Sequence, residues 1–438
     1  MNTLQPHALG AGIVCALVVL ATALTGTVGV AQAEQPAKPQ PAIQSPKSTT
    51  PGRSAPNAKD LERWRRTTVT AKRPEKGCFA AEYPATTWTK VACGKPPDRP
   101  FLPAGVTPVG DHYDNTAASL SSPIKWAEGS FSAVIGVHSA CSPGCDPKNN
   151  FSIQLNTNTF ATTIADCKTN PGWGCLGWEQ FIYSNRSCSQ STWLENIFVH
   201  DPGCAFIQYW LFNYDNGQTC PHGWGRPVKP VPAGFTGACR VNSENALIFV
   251  PFLADDLSFM KLMGIAGVQG SHDSVIFTYA GKPYLVSGDN RLPELGQNSQ
   301  WQIAEFNVFG NGGGSQVIFN PGSTLVVRIE VDHGSAAAPT CGYYGSTGET
   351  NNLGLIMLQT LPINSPNGGP ATTYSGPPTQ SIPFPLPPNT QGGDVNEGPW
   401  SGPPGPALVF GESNSPDATY TAQGSTACQG VVTVPGTR

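Results

Sequence analysis

Charge is missing where the chain begins. Met1–Ala33 contain no Asp, Glu, Lys or Arg, so they do not read as the start of a solvated domain. The apolar run Leu9–Val30 ends in Ala31-Gln32-Ala33, a small-x-small cleavage pattern. A transmembrane anchor is the alternative, but Gly and Thr interrupt the run and a good cleavage site ends it. The common catalytic signatures are also missing. There is no G-x-S-x-G, no H-E-x-x-H and no phosphate-binding glycine loop with Lys and Ser/Thr, which excludes the familiar serine-hydrolase, zinc-peptidase and nucleotide-binding patterns. The seven histidines are scattered. No basic stripe interleaves with aromatics, so nucleic acid is not an expected partner.

Cysteine, by contrast, is plentiful. Of 13 cysteines, Cys15 leaves with the expected signal segment, and 12 remain. An even number in an exported chain points to disulfides rather than metal ligands or catalytic thiols. Cys141-x-x-x-Cys145 and Cys220-x-His222 have metal-like spacing, but export favours bridges there too, and no metal is expected. Eight cysteines fall between Cys141 and Cys239, in a stretch rich in Gly, Pro, Asn and Ser. Most bridges are expected there, with connectivity left open. The expected location is extracellular or periplasmic, with no stable membrane insertion once the signal is removed.

The chain divides by composition. Residues 1–33 read as a signal peptide. Residues 34–100 read as a basic, Pro-rich leader or linker: from Glu34 to Arg99 there are 13 Lys and Arg against 6 Asp and Glu. From Pro100 to Thr360 the balance reverses, 11 against 19, so the leader either trails freely or lies against an acidic body. Within it, Asn57–Arg66 has helical composition, and Cys78 to Cys93 reads as a small closed loop. Residues 361–438 are a Pro/Gly-rich extension unable to fold alone. Ala407–Phe410 and Gly430–Val434 are expected to add edge strands, with Cys428 tying the end down.

Residues 101–360 read as strand after strand. Period-2 alternation or β-branched and aromatic content marks 129–138, 151–156, 176–183, 205–213, 246–252, 258–268, 273–280, 283–287, 301–309, 315–320, 324–332 and 352–360. Turn signals such as Asn320-Pro321-Gly322 separate them. The expected fold is all-β: an antiparallel β-sandwich, jelly-roll or concanavalin-like, with disulfide-stapled loops and disordered termini.

Two strands set a polar group among apolar neighbours. Alternation puts Leu176, Trp178, Gln180 and Ile182 on one face, and Trp301, Ile303, Glu305, Asn307 and Phe309 on another. A partly desolvated carboxyl has a raised pKa. Beside a neutral amide donor it forms a workable general base with a transition-state stabiliser. A polar strand face with no catalytic task is the bland reading. Trp173, Trp178, Tyr209, Trp210 and Trp224 offer a second reading, an aromatic platform for sugars, or else ordinary core.

This arrangement resembles the glutamic peptidases, or eqolisins, acid endopeptidases built as a β-sandwich around one Gln and one Glu. Ala304-Glu305-Phe306-Asn307-Val308 aligns without a gap on the family's Ala-Glu-Trp-Ile-Val. Gln180, Cys188 and Phe206–Trp210 keep the family's order of Gln strand, cysteine turn and aromatic strand. Ala254–Leu257 through Tyr284–Val286 is similar to the unit before the Glu strand. The likeness spans about Gly129 to Val331. The chain departs from the family at Ser152–Asn158, where the family has a Trp and acidic residues and this sequence has amides. The resemblance implies a secreted acid endopeptidase with Gln180 and Glu305 as catalytic pair, Trp178, Trp301 and Tyr209 against the substrate, no cofactor, and a polypeptide as partner. It also implies that the basic segment Glu34–Arg99 acts as a propeptide. The alternative is a non-catalytic, lectin-like sandwich that binds a glycan.

Overall fold

The computed structural model describes residues 57–102, 114–119, 122–141, 149–164, 174–186, 188, 202–214, 219–225, 228, 231–232, 235–249, 253–268, 271–296, 300–334, 339–342, 347–362 and 425–434. The expected signal segment, Ala407–Phe410 and most of the C-terminal extension lie outside them. No described helix is long and apolar enough to cross a membrane.

Two antiparallel sheets pack face to face, as the alternating strands require. The first runs in the order Thr89–Val91, Gly77–Ala80, Lys282–Ser287, Ser274–Tyr279, Met260–Ile265, Trp126–Ile135, Thr324–Asp332, Ser425–Thr433, Gly354–Pro362. The second runs Thr340–Gly342, Asn115–Ala118, Ile303–Phe309, Ser152–Thr157, Leu176–Ser184, Gly203–Phe212, Asn245–Ile248, Cys93–Gly94, with Ala238–Asn242 and Phe160–Ala161 alongside. Every strand expected between 129 and 360 has a counterpart within a few residues.

The core fills the space between the sheets. Phe131 meets Phe306 at 5.3 Å, and Tyr183 stacks on Phe277 at 3.8 Å. Two glycines make room for rings from the opposite sheet. A Cβ on Gly129 would lie 2.0 Å from the Phe306 ring, and one on Gly264 would lie 2.2 Å from Phe181. Any side chain at either position would force the layers apart.

Bridges staple the sandwich at both edges. Cys78–Cys93 joins a strand of the first sheet to one of the second, and Cys341–Cys428 does the same at the other edge. Cys188–Cys204 and Cys220–Cys239 tie the loops, and Cys141 and Cys175 are bridged as well. Cys220 is therefore half of a disulfide.

Two expectations are corrected. Of the expected leader 34–100, residues 57–100 are part of the body: they supply one helix and strands in both sheets. The C-terminal strand is Ser425–Thr433, longer than expected, and it lies inside the first sheet between Thr324–Asp332 and Gly354–Pro362. Composition reports that a strand is short and Gly-bearing, not how many neighbours it gains.

The helix Ala58–Thr70 also runs four residues past its expected end. The Asn57 side chain caps it by accepting from Asp60 N. The β-branched Thr67-Thr68-Val69 disfavours helix locally. Here Thr67 and Thr68 hydroxyls bond the carbonyls four residues back, while Thr68 and Val69 are buried by docking. The helix lies on the outside of the first sheet. There Glu128 and Glu330 face each other across adjacent strands, an unfavourable pairing of like charges. Arg65 reaches Glu128 at 2.7 Å and Arg66 reaches Glu330 at 2.9 Å, with Glu62 and Lys261 joining the network.

Candidate active site

The outer face of the second sheet carries one row of polar side chains. Register partners place Thr116, Glu305, Asn156, Gln180, Gln208 and Asn242 side by side across six strands. Gln180 and Glu305 sit on next-adjacent strands with the Asn156 strand between them. Their backbones are therefore about 10 Å apart, twice the strand spacing. Asn156 bridges the gap: its Oδ1 accepts from Gln180 Nε2 at 3.3 Å, and its Nδ2 donates to Glu305 Oε2 at 3.5 Å.

The Gln180 amide has a fixed orientation. Indole N–H is a donor only, and Trp210 Nε1 donates to Gln180 Oε1 at 2.7 Å. The Gln180 NH2 therefore points along the row toward Asn156 and Gln154, whose Oε1 accepts at 3.0 Å. On the far side, Glu305 Oε1 accepts from Thr347 N at 3.3 Å. Asp114 is hydrogen-bonded to Glu305 and accepts from Asn307 Nδ2 at 3.1 Å. Burial, then the Glu305 charge, pushes the Asp114 carboxyl well above the ordinary aspartate range. Glu349 lies nearby, taking Leu102 N, Gly314 N and Thr347 Oγ1, and burial lifts it to about 8 against those donors.

The row is closed to solvent. Gln180 is 0% and Glu305 1% exposed. Part of the cover is the chain's own segment Pro97–Leu102. Its backbone is held by side chains of the face: Phe101 N donates to Gln208 Oε1 at 2.7 Å, Gln208 Nε2 donates to Arg99 O at 3.1 Å, and Asn242 Nδ2 donates to Pro97 O at 3.2 Å. Leu102 N donates to Glu349 at 3.0 Å, and Gly313 N reaches Pro100 O at 2.7 Å. The Phe101 ring sits with Ile182, Phe206 and Cys188–Cys204.

The expected substrate-facing aromatics divide. Trp178 lies on the Gln180 face, beside Trp210 at 6.2 Å, its indole donating to Thr157 O at 2.6 Å. Trp301 does not share the Glu305 face. The strand starts at Ile303, so alternation does not extend back to Trp301, which packs against Phe181 at 5.7 Å in the core. Tyr209 follows Gln208 along its strand and so points inward, where it bonds the Asp289 carbonyl.

Sequence reasoning singled out the pair but not its surroundings. Gln154 and Asn156 were visible only as a departure from the family's acids. The alternation Phe206-x-Gln208-x-Trp210 was a signal for Gln208. Nothing local marked Asp114 or Glu349, which reach the site from loops. No protein-family model, curated protein or solved structure matches the chain.

Proposed function

We propose that this is an exported acid endopeptidase of the glutamic-peptidase kind, acting through Glu305 and Gln180. One observation carries the reading. The face that bears the pair already holds a segment of polypeptide by its main chain, with Gln208 pairing both Arg99 O and Phe101 N. Such pairing recognises backbone whatever its side chains, as strand-adding peptide sites do.

In the reaction, Pro97–Leu102 gives way to substrate. Glu305 removes a proton from water, and the hydroxide attacks the scissile carbonyl carbon. Gln180 turns its NH2 from its amide partners to the tetrahedral oxyanion, while Trp210 holds its carbonyl end. Protonated Glu305 then delivers its proton to the leaving nitrogen as the C–N bond breaks. The glycan reading loses Trp178, Tyr209 and Trp210, which are fully buried and present no ring face to a sugar; Trp224 is half-buried and Trp173 lies outside the described residues.

The test is hydrolysis of denatured protein by the full chain from acid to neutral pH. Glu305→Gln should abolish cleavage. Gln180→Ala should lower kcat by about 100- to 1000-fold with a smaller effect on KM. Phe101→Ala, which loosens the covering segment, should raise cleavage. No cleavage by wild type or Phe101→Ala at any pH would end the peptidase reading, and a glycan array would follow.

A further inference from the structure

We propose that Asp114 is the proton-sharing partner of Glu305, the two forming one buried carboxyl–carboxylate pair in which Asp114 donates and Glu305 accepts. Its catalytic consequence rests on the peptidase reading. The pair itself does not.

The geometry gives each carboxyl a different role. Glu305 receives Thr347 N on Oε1 and Asn156 Nδ2 on Oε2. Both neighbours are donors, so they favour the ionised, acceptor-only form. Among the described residues Asp114 receives one donor, Asn307 Nδ2 on Oδ1, and its other oxygen can carry the proton shared with Glu305. The two are 6% and 1% exposed, and two touching carboxylates without solvent cannot both ionise. Asn156, Asn307 and Thr347 around them are neutral. Among the described residues, two other titratable groups face this neighbourhood: Glu349, bonded to Thr347 and Gln154, and Arg99, which feels the charge of Glu349.

The shared proton suits the proposed chemistry. A buried glutamate alone would be protonated in acid and could not accept a proton from water. A donor carboxyl at its side keeps it ionised there. The pair then loses its protons in two macroscopic steps, with the competent form between them. Asp114 acts through Glu305 and is a positioning residue.

The test has two arms, both in a Glu349→Gln background so that Glu349 does not contribute. The first follows the infrared carbonyl band of protonated carboxyls against pH. The full chain should show a band persisting above the ordinary aspartate range. Asp114→Asn should remove one component of it, over the background that Glu179 and Asp273 supply. Glu305→Gln should move that component to lower pH, because the neighbouring charge is gone. A band unaffected by Asp114→Asn overturns the proposal. The second arm is the pH profile of kcat/KM. Asp114→Asn can still donate an N–H to Glu305 but cannot ionise. Its alkaline limb should move upward by about one pH unit or more, whereas Asp114→Ala should lose the acid plateau. A uniform fall with unmoved limbs shows a merely structural role and also overturns it. A titrating Asp114 band without cleavage by the wild type would instead sink the peptidase reading and leave the pair standing.

Discussion

The two outer faces of the sandwich bury the same residue types and treat them oppositely. Under the helix, Glu62 and Glu330 lie against guanidinium and ammonium groups. Burial works to raise them, but Arg65, Arg66 and Lys261 hold Glu62 well below the usual range, and Arg66 brings Glu330 down to about 2. On the other face, Glu349 meets an amide, a hydroxyl and backbone N–H groups, and Asp114 meets the Asn307 amide and the Glu305 carboxyl. There burial wins, and both are pushed up. Burial sets the direction for a carboxyl, and only a full opposite charge reverses it. One face is thus built as a fixed ionic clamp, and the other keeps protonatable groups beside the candidate catalytic pair.

The largest test of this contrast is to remove the clamp. Deleting the chain up to Arg99 takes away the helix, three strands and the Cys78–Cys93 staple, and leaves Glu128 opposite Glu330 without either helix arginine, with Arg328 3.7 Å from Glu330. We expect no cooperatively folded product, seen as loss of the near-UV circular dichroism signal. A folded, active remainder would restore the picture of a separable leader. Next in size, Arg65→Met strands Glu128 in the interior. Breaking a buried pair from one side costs about 3–5 kcal/mol, readable as a lower urea midpoint at unchanged slope. A loss under 1 kcal/mol would mean that water reaches the clamp.

The pH dependence separates the carboxyls held by cations from those where burial dominates. Asp114, Glu349, Glu179 and Asp273 have folded pKa values raised above their unfolded ones, to about 7 for Asp273 and about 8 for Glu349. Their contribution is full below about pH 4 and is lost as pH climbs through the folded values. Glu62 and Glu330 are lowered, so theirs is present above about pH 4.5 and is lost only as pH falls toward 2. Urea midpoints should therefore be highest in mild acid and decline from about pH 5 to 8. Glu349→Gln should flatten the neutral side of that curve and leave the acid side alone. Stability that rises toward pH 8 would contradict the assignment. The smallest effect concerns the helix by itself. Asn57→Ala removes its cap and should cost about 1 kcal/mol, with no change in the slope against pH.

Much of the fold was legible because alternation is local. The strands containing Gln180 and Glu305 were placed to within a few residues, and Trp178 falls on the expected face. The errors have local causes too. Trp301 lies just outside its strand, where period 2 no longer applies. Tyr209 was grouped by aromatic type although its odd position, next to Gln208, turns it inward. The helix expected over Asn57–Arg66 runs on to Thr70, because docking against the first sheet outweighs the weak helix preference of Thr and Val.

The sequence by itself determined an alternating, cysteine-rich all-β chain, and which side chains of each strand point the same way. Side-chain direction follows from a two-residue period that every strand carries within itself. Only the tertiary structure decided which strands are neighbours. It aligned Glu305, Asn156, Gln180 and Gln208 in one row, brought Asp114 to Glu305 and Pro97–Leu102 over the face, and set Ser425–Thr433 inside the first sheet. Those relations depend on register between segments as far apart as those of Asp114 and Asn307, 193 residues along the chain, which hydrogen bonding across the finished sheets fixes and no local pattern encodes.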